Sequence, residues 1–338
     1  MNAFVRKTKL YKVRTVLHYC RESWKNSAKI IEYAESGKRL AIYFDLIYWF
    51  VKYGNDFNDY CTFEFWNKTN EQRKSYISLR RNDVLRISFS TPDVFTTFLD
   101  KAAFNKKFNK YIHRAWLDTR EHNWNEIKEF LDNNTNVIAK PLDDFGGHGI
   151  FSLNINSESF NNNLSKLKTS IDRGNKFILE EIIENRSDIK IFAPASLNTL
   201  RFVTVIDKNN NFHLIAALLR FGSGTGLTDN YHAGGMACPI NIEQGCLTKT
   251  AFGMDCKKYN EHPFSKIKFE GYKLEDFSDC IKIIKEIAYV EPNARYVGWD
   301  LALTSNGIEL LEGNIPPGED ITQIATGRGM WYDMLEWK

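Results

Sequence analysis

Two runs of alternating apolar and polar residues near the C-terminus predict a β-hairpin. They read YVGWDLALT at 296–304 and IELLEGN at 308–314, and alternation with period two is typical of strands. The Asn-Gly pair in the intervening segment 305–307 favours a tight turn. A three-residue turn would place Asp300 opposite Glu312, with Asn314 on the same face as Glu312, whereas a two-residue turn would separate the two acids.

Carboxylates that face each other across a sheet repel unless a positive charge lies between them. Asp300, Glu312 and Asn314 supply the oxygen ligands that Mg²⁺ prefers, and a site of this kind keeps positions open for phosphates. The alternative is a solvated hairpin face whose acids point into water. The combination of two acids and an amide beside near-continuous apolar sequence favours the metal–phosphate site.

The remaining pattern predicts a mixture of helices and strands. Residues up to about 54 look helical, with aromatic residues crowded between Tyr43 and Tyr53. A core helix explains this stripe, and docking on a membrane or a partner is the alternative, because basic residues precede it. Further segments read as helices at 98–111, 124–131 and 274–288, and as strands at 137–141, 176–183, 199–206 and 212–221.

Composition limits the class of protein. The 338 residues are 43% hydrophobic and 26% charged, which is ordinary for a globular protein with a buried core. A net charge of +3 gives no argument for nucleic acid. The six cysteines form no Cys-x-x-Cys pair, which favours reduced thiols. The start lacks the apolar core of a signal peptide, and the apolar region 40–51 contains Asp45 and is too short to span a bilayer. We therefore expect a soluble, intracellular chain.

Other stretches suggest where phosphate could bind. Lys140 ends a predicted strand, and the loop that follows, DDFGGHG at 143–149, lets backbone N–H groups approach an anion. Such a loop is also a common tight turn. The strand 176–183 ends in Glu180 and Glu181, which would be a solvated end or a hinge that pairs with an adenine.

Two arginines lie in otherwise apolar strands. Burying Arg201 or Arg220 is costly without a partner, so each meets a structural carboxylate or an anionic ligand. The glycine-rich stretch 222–235 has the composition of a loop that closes over a substrate. His232 within it is a candidate acid–base group or a hydrogen-bonding accessory.

Five pieces in this order resemble the ATP-grasp superfamily: Asp100-Lys101; Ala139-Lys140-Pro141 with its glycine loop; 179–183 (LEEII); 198–201 (NTLR); and Asp300 with 311–314 (LEGN). In finer detail the chain resembles the sugar-transfer-associated ATP-grasp proteins through 197–201 (LNTLR), 229–235 (DNYHAGG) and His262-Pro263. The resemblance implies an α+β ATP-grasp fold in which two lobes clamp ATP, with a helical, aromatic-rich N-terminal extension. The implied divisions are 1–90 for the extension, 91–183 for the N-terminal and central lobe, and 184–338 for the C-terminal lobe with the metal site.

The resemblance also assigns roles to residues. Phosphates would be held by Lys101 and Lys140 and covered by Gly146, Gly147, His148 and Gly149. Glu180, Glu181, Ile182 and Ile183 would meet the adenine, and Asp188 or Glu184 the ribose. Asp300, Glu312 and Asn314 would bind one or two Mg²⁺ ions. Arg201 would contact the γ-phosphate and Arg220 the reacting acyl group, with His232 as a third catalytic candidate and Asn230, His232, Gly234 and Gly235 in the substrate loop. Gly298 stands where some ligases of this fold carry an arginine, which leaves Arg201, Arg220 and Arg295 as candidates to stabilise the intermediate.

The activity implied is that of an ATP-dependent carboxylate–amine ligase that forms an acyl phosphate. The substrates implied are an amine, such as an amino acid, and a sugar-linked carboxylate in bacterial surface polysaccharide biosynthesis (capsule or O-antigen). The alternatives are a sugar or carboxylate phosphotransferase and a non-catalytic nucleotide-binding partner of a glycosyltransferase. The expected location is cytoplasmic, including the inner face of the membrane or contact with a glycosyltransferase, and no nucleic acid is expected as a partner.

Overall fold

The first helices that the structure describes cover one face of a large sheet. The computed structural model describes residues 9–34, 38–142, 149–222, 234–253 and 257–338. The helices before the first strand are α1 (Lys9–Ala34), α2 (Arg39–Tyr53), α3 (Phe57–Thr62), α4 (Asn70–Lys74), α5 (Leu79–Phe89), α6 (Val94–Leu99) and α7 (Lys101–Lys107). Short 3₁₀ turns lie at Phe65–Asn67 and Asn109–Tyr111. The predicted helical character of the first segment is therefore confirmed.

Helix α2 shows why the aromatic stripe forms a helix. Ile42, Leu46 and Trp49 recur at helical spacing and are buried. The helix ends at Gly54, whose positive φ of 83° lets its N–H donate to the carbonyls of Trp49 and Phe50. The buried side packs, together with other residues of the extension, against Val203, Val205, Ala216, Leu218 and Tyr296 of the large sheet. On this face the aromatic stripe belongs to the protein core, as one of the two explanations predicted. Phe44 on another face of α2 is 63% exposed.

A four-stranded antiparallel sheet follows, in the order β1-β4-β2-β3. Its strands are β1 (Trp116–Asp118), β2 (Asn136–Pro141), β3 (Phe151–Asn154) and β4 (Phe177–Glu181). The helices α8 (Trp124–Asn133) and α9 (Phe160–Asp172) accompany it. Ile127, Leu131 and Leu167 of these helices share a core with Val137 and Leu179 of the strands. Asn123 and Glu126 form a capping box that starts α8 at the predicted position.

The larger sheet is also antiparallel, in the order β10-β9-β7-β6-β5-β11-β12, with β8 paired to β7. Its strands are β5 (Thr199–Ile206), β6 (Phe212–Phe221), β7 (Met236–Asn241), β8 (Cys246–Leu247), β9 (Ala251–Gly253), β10 (Lys258–Tyr259), β11 (Tyr296–Thr304) and β12 (Gly307–Asn314). The remaining helices are α10 (Ser187–Lys190), α11 (Phe277–Ala288), α12 (Glu319–Thr326) and α13 (Trp331–Trp337). Helix α11 covers the face opposite the N-terminal helices, so the sheet is buried on both sides.

Asp300 and Glu312 face each other in the β11–β12 hairpin, but through a shorter turn and a β-bulge. Thr304 pairs with Gly307, so the turn contains two residues, and the expectation that a two-residue turn would separate Asp300 from Glu312 is wrong. A β-bulge then shifts the register between Asp300 and Leu301, with the result that Asp300 faces Glu312. An extra residue in one strand of a pair moves every position beyond it by one. The bulge therefore restores the opposition that the short turn would have removed.

Bilayer crossing needs a long and strongly apolar helix. Within the described ranges, no helix meets that requirement.

Candidate active site

Asp300, Glu312 and Asn314 lie together at the end of the hairpin. The Asn314 amide donates to Glu312 Oε1 at 3.2 Å, and its nitrogen lies 3.4 Å from Asp300 Oδ2. Asp300 is buried, whereas Glu312 can be reached by solvent. The three predicted oxygen ligands are thus neighbours.

Two arginines from adjacent strands hold the Asp300 carboxylate. Arg201, directly opposite Asp300 in the β5–β11 pair, donates from Nε at 2.5 Å and from Nη2 at 2.9 Å. Arg220 Nη2 lies 3.1 Å from Asp300 Oδ2, and the same guanidinium donates to Thr199 Oγ1. Burial acts to raise the pKa of Asp300, but Arg201 and Arg220 together lower it below its ordinary value. Asp300 is therefore ionised, and it fixes both arginines in one orientation.

Glu312 has the opposite electrostatic environment. The surrounding protein desolvates its carboxyl even though the side chain is reachable from outside, and the nearby Asp300 charge adds to that effect. Both influences raise the pKa of Glu312. A cation between the two acids would remove this penalty, and an oxygen donor set of two carboxylates and an amide suits Mg²⁺. No cluster of three His, Cys, Asp or Glu side chains suited to a metal occurs in the described ranges, so water or phosphate oxygens would complete such a site.

A pocket of about 180 Å³ connects this hairpin to the rest of the predicted site. Its polar lining comprises Lys101 from α7, Lys140 from β2, Asn105, Glu180, Glu312 and Asn314. Its apolar lining includes Phe95, Phe98, Phe104 and Ile315. Two lysines predicted to hold phosphates therefore share one pocket with two of the three predicted metal ligands, Glu312 and Asn314, although about 170 residues separate Lys140 from Glu312 along the sequence.

Glu180 is committed to contacts within the protein. It is 3% exposed and accepts from Lys140 Nζ at 2.6 Å, from Asn105 at 3.0 Å and from Arg114. Burial acts to raise its pKa, but Lys140 and Arg114 outweigh burial and lower it. The carboxylate of Glu180 thus anchors Lys140 beside the pocket.

The other predicted hinge and ribose residues lie nearby in the chain but have their own partners. The N–H groups of Glu181 and Ile182 donate to Ala115 and Asn136, so an adenine would have to pair with other groups of 180–183. Asp188 forms an ion pair with Arg186 at 2.7 Å in α10. The pocket lining includes none of 181–183 and 188.

The predicted loops are described only in part. Gly146, Gly147, His148, Asn230 and His232 lie outside the described residues. Gly149 has a φ of 70°, and a Cβ there would stand 3.0 Å from Pro141, so glycine suits this position. Gly234 has a φ of 93°, and Gly235 directly precedes β7.

The structure separates the three arginines that the sequence left as alternatives. Arg201 and Arg220 lie at Asp300, whereas Arg295 donates to the carbonyls of Ile206 and Ser88 and stacks on Phe89. Gly298 lies against Arg201: a Cβ there would stand 2.9 Å from Arg201 Nη1 and 2.9 Å from Pro317 Cβ. Arg201 thus occupies the space that a side chain at position 298 would need.

Sequence reasoning missed Arg114, which joins the two sheets. Its side chain, 4% exposed, donates to Glu180 on β4 and to Glu309 on β12, the latter at 2.7 Å. It also donates to the carbonyl of Leu310 at 2.7 Å. A lone arginine in an irregular segment carries no periodic signal, and only the buried position of Glu309 on the hairpin could have suggested a partner.

Comparison with known proteins gives a family. A model described as sugar-transfer associated ATP-grasp matches residues 81–335. No curated protein matches the chain.

Solved structures with a similar arrangement share little sequence with this chain. D-alanyl-alanine synthetase A from Vibrio cholerae is 13% identical over 73% of this chain and 62% of its own, with a TM-score of 0.45. D-alanine–D-alanine ligase from Bacillus anthracis is 12% identical over 76% of this chain and 73% of its own, with a TM-score of 0.43. The ADP complex of N5-carboxyaminoimidazole synthetase from Staphylococcus aureus is 10% identical over 75% of this chain and 59% of its own, with a TM-score of 0.44. The chain thus spans less than two thirds of the first and third of these structures. The family model, which covers most of the sequence, shows that this chain belongs to the sugar-transfer associated ATP-grasp family.

Proposed function

We propose that this protein is an ATP-dependent carboxylate–amine ligase. The observation that carries the proposal is the shared pocket, in which Lys101 and Lys140 face the Glu312 and Asn314 ends of the hairpin. Cations on one side and acids on the other suit a nucleotide triphosphate with its metal. Membership of the family supports ATP as the nucleotide. It also supports a sugar-linked carboxylate as the substrate, which would be joined to an amino acid or another amine in bacterial surface polysaccharide biosynthesis.

The first step would activate the carboxylate. A carboxylate oxygen attacks the γ-phosphorus, the bond to the bridging oxygen breaks, and ADP leaves with the electron pair. Lys101 and Lys140 would hold the phosphates, and Arg201 would stabilise charge on the transferred group. Because phosphoryl transfer depends mainly on positioning and electrostatics, the Asp300 contacts that orient Arg201 and Arg220 are part of the machinery.

One or two magnesium ions, held by Asp300, Glu312 and Asn314, would neutralise charge on the phosphates. The paired carboxylates fit this group because Asp300 and Glu312 repel one another in its absence.

The second step would form the amide. The amine nitrogen attacks the acyl carbon, the tetrahedral intermediate expels phosphate with the C–O electron pair, and the nitrogen has lost two protons relative to its ammonium form. Arg220, which lies on the neighbouring strand, would stabilise the oxyanion. The loop 222–235, with Asn230, His232, Gly234 and Gly235, would exclude water that could otherwise hydrolyse the acyl phosphate.

A trapping experiment distinguishes this ligase from the two rival functions. The protein is incubated with ATP, Mg²⁺, hydroxylamine and a panel of uronic acids and amino acids. We expect a hydroxamate from at least one carboxylate. Phosphorylated sugar without hydroxamate would indicate a phosphotransferase, and no ATP turnover with any acceptor would indicate a binding partner.

The lysine assignment has its own prediction. Lys140→Met should raise the KM for ATP about 10- to 100-fold, because a charged hydrogen bond to phosphate contributes about 1.5–3 kcal/mol. The measurement is ADP release as a function of ATP concentration. Lys128→Met, on the exposed face of α8, is the matched control. A KM for ATP equal to that of the control would remove Lys140 from the phosphate site.

The contact between Gly298 and Arg201 gives another prediction. Gly298→Ala should lower the rate of hydroxamate formation about tenfold or more, because the added methyl group would displace Arg201 from Asp300. A displaced positioning group commonly costs this much in rate. The measurements are kcat and the melting temperature of the variant and the wild type, so that a lower rate can be distinguished from a less stable fold. An unchanged kcat would show that the orientation of Arg201 is unimportant.

A further inference from the structure

An exposed apolar stripe runs along the outer face of α2. Ile42, Leu46 and Trp49 are buried in the core that α2 shares with the large sheet. Because an α-helix turns once in about 3.6 residues, positions spaced by four, four and three share one face. On the side opposite the core, one such face consists of exposed apolar side chains: Leu40, Phe44, Tyr48 and Val51. Helix α2 is therefore apolar on the side that faces solvent as well as on the side that faces the sheet.

The stripe continues onto α1 through contacts between aromatic rings. The ring of Tyr43 lies 5.5 Å from that of Trp24 on α1 and 5.2 Å from that of Phe44, measured between centroids. Trp24 and Leu17, about two turns apart on α1, are both exposed. The guanidinium of Arg39 stacks on the Trp24 ring at 4.1 Å. The two helices thus share one apolar surface, the α1–α2 patch, which we define by its exposed members: Leu17, Trp24, Leu40, Phe44, Tyr48 and Val51.

Positive charge borders the α1–α2 patch. Three exposed cations on α1 follow one another at a spacing of four residues: Arg21, Lys25 and Lys29. Among the described residues 17–34 and 38–53, Glu32 is the only exposed acid. Residues 1–30 of the sequence contain eight lysines and arginines and one acid, Glu22, which pairs with Lys25. The charge around the patch is therefore complementary to a negatively charged partner.

This combination of side chains matches the chemistry of an anionic lipid surface. A large exposed apolar patch marks a contact with another molecule or a membrane, and apolar side chains bordered by cations are typical of helices that lie in a membrane interface. Trp24 and Tyr48 suit the level of the headgroups, because each ring is apolar and carries one polar group. Lysine and arginine can reach anionic headgroups while their apolar stems lie along the patch.

A second copy of the chain would be a poorer partner for this surface. A twofold interface uses the same surface on both copies. It would place the basic row of one copy close to the basic row of the other, and like charges repel.

We propose that the α1–α2 patch binds the surface of an anionic lipid membrane, with α1 and α2 lying in the plane of the interface. The proposal does not depend on the ligase activity, because the patch contains no residue of the proposed active site. It assigns a function to the side of α2 that faces away from the core. The contacts of Ile42, Leu46 and Trp49 with the sheet would stay unchanged on binding.

Flotation with lipid vesicles measures this binding directly. The full chain is mixed with vesicles of phosphatidylcholine alone or of phosphatidylcholine with phosphatidylglycerol, and the floating fraction gives a dissociation constant. We expect binding to the anionic vesicles to be about tenfold tighter or more, because each basic residue near an anionic surface adds to the affinity. Added salt should weaken it by screening these charges. Equal binding to both vesicle types would overturn the proposal. Absence of binding to anionic vesicles would also overturn it and leave a protein as the partner of the patch.

Serine substitutions test the apolar part of the patch. Phe44→Ser should weaken binding to anionic vesicles about tenfold or more, because it removes an apolar side chain that would enter the interface. Phe264→Ser is the matched control, since Phe264 is 59% exposed and lies outside the extension, whereas Phe44 is 63% exposed. Leu40→Ser repeats the test without removing the ring contact with Tyr43, and melting temperatures show whether each fold is kept. Affinities of Phe44→Ser and Leu40→Ser equal to that of Phe264→Ser would overturn the proposal.

A combined variant tests the basic row. Replacing Arg21, Lys25 and Lys29 together by glutamine should weaken binding to anionic vesicles about tenfold or more and reduce its dependence on salt. The matched control removes three exposed lysines of α8 and α11 by the same substitution: Lys128, Lys282 and Lys285. Equal affinities of the two combined variants would exclude the basic row from the contact and overturn the proposal.

Tryptophan fluorescence tests whether the patch itself meets the lipid. Bromine atoms on the acyl chains of the vesicles quench a tryptophan that enters the interface. We expect stronger quenching in the wild type than in Trp24→Phe, since Trp24 is the exposed tryptophan of the patch. Equal quenching in the two proteins would place the contact elsewhere and overturn the proposal.

Sedimentation without lipid distinguishes a membrane from a second copy of the chain. We expect the wild type and Phe44→Ser to sediment with the same mass. A wild-type dimer that Phe44→Ser dissociates would overturn the proposal and assign the α1–α2 patch to self-association.

Discussion

Glu312→Ala should abolish ATP turnover and leave the fold intact. The side chain is reachable by solvent and accepts a hydrogen bond from the Asn314 amide, so its removal costs little packing. It removes one of two carboxylates that would hold magnesium against the phosphates. Losing one pre-organised electrostatic group at a transition state costs about 10²–10³-fold in kcat, and a shared metal raises that cost. The measurements are ADP release, hydroxamate formation and the melting temperature.

Two further variants give this experiment its controls. Glu129→Gln, exposed on α8, should leave turnover and stability unchanged. Asp300→Asn should reduce both turnover and stability, since it breaks the ion pairs with Arg201 and Arg220. The magnesium concentration needed for half-maximal activity should rise in Glu312→Asp. Near-normal turnover in Glu312→Ala would exclude this residue from the metal site.

Arg114→Met should be the most destabilising single substitution at the junction of the two sheets. It leaves Glu180 and Glu309 without their arginine partner, and both carboxylates are almost fully buried. Removing one partner of a buried ion pair costs about 3–5 kcal/mol, because the remaining charge is neither solvated nor paired. Urea unfolding, monitored by circular dichroism, measures the free energy of unfolding.

A matched arginine tests whether burial is the cause. Arg186 also pairs with two acids, Asp188 and Asp276, but it is partly exposed. Arg186→Met should cost less than about 1 kcal/mol, as is usual for solvent-accessible pairs. Equal losses in the two variants would contradict the role of Arg114 as a buried link between the sheets.

The cost of Arg114→Met should also depend on pH. The pKa of Glu180 is lowered in the folded state because Lys140 and Arg114 outweigh the opposing effect of burial. A lowered folded-state pKa contributes stability above the unfolded pKa of about 4.3 and loses it as the pH falls towards the folded value. The difference in unfolding free energy between wild type and Arg114→Met should therefore narrow as the pH falls below about 4. A difference that does not change with pH would show that the Glu180 charge is not involved.

Local sequence determined much of the fold. Period-two alternation and Asn-Gly turn chemistry predicted the β11–β12 hairpin, and helical spacing predicted α2, α8 and α11. These signals are short-range because they depend on where each side chain points along its own element. The order of the motifs suggested the family, and the family model confirmed that the chain belongs to it. One local inference was wrong, namely that a two-residue turn would separate Asp300 from Glu312, because a bulge is not encoded by alternation alone.

The groups that make the site chemically specific depend on contacts between distant segments. Arg201 meets Asp300 only because β5 and β11 pair side by side, and Arg114 reaches Glu180 and Glu309 only because two sheets pack against each other. Asn82 of α5 donates to Glu319 at the start of α12, although 237 residues separate the two along the sequence. Sequence alone determined which residues could carry charge and on which elements they lie. The tertiary structure decided which charges meet, because the burial of apolar faces sets the packing of the elements, and that packing brings together groups that share no local pattern.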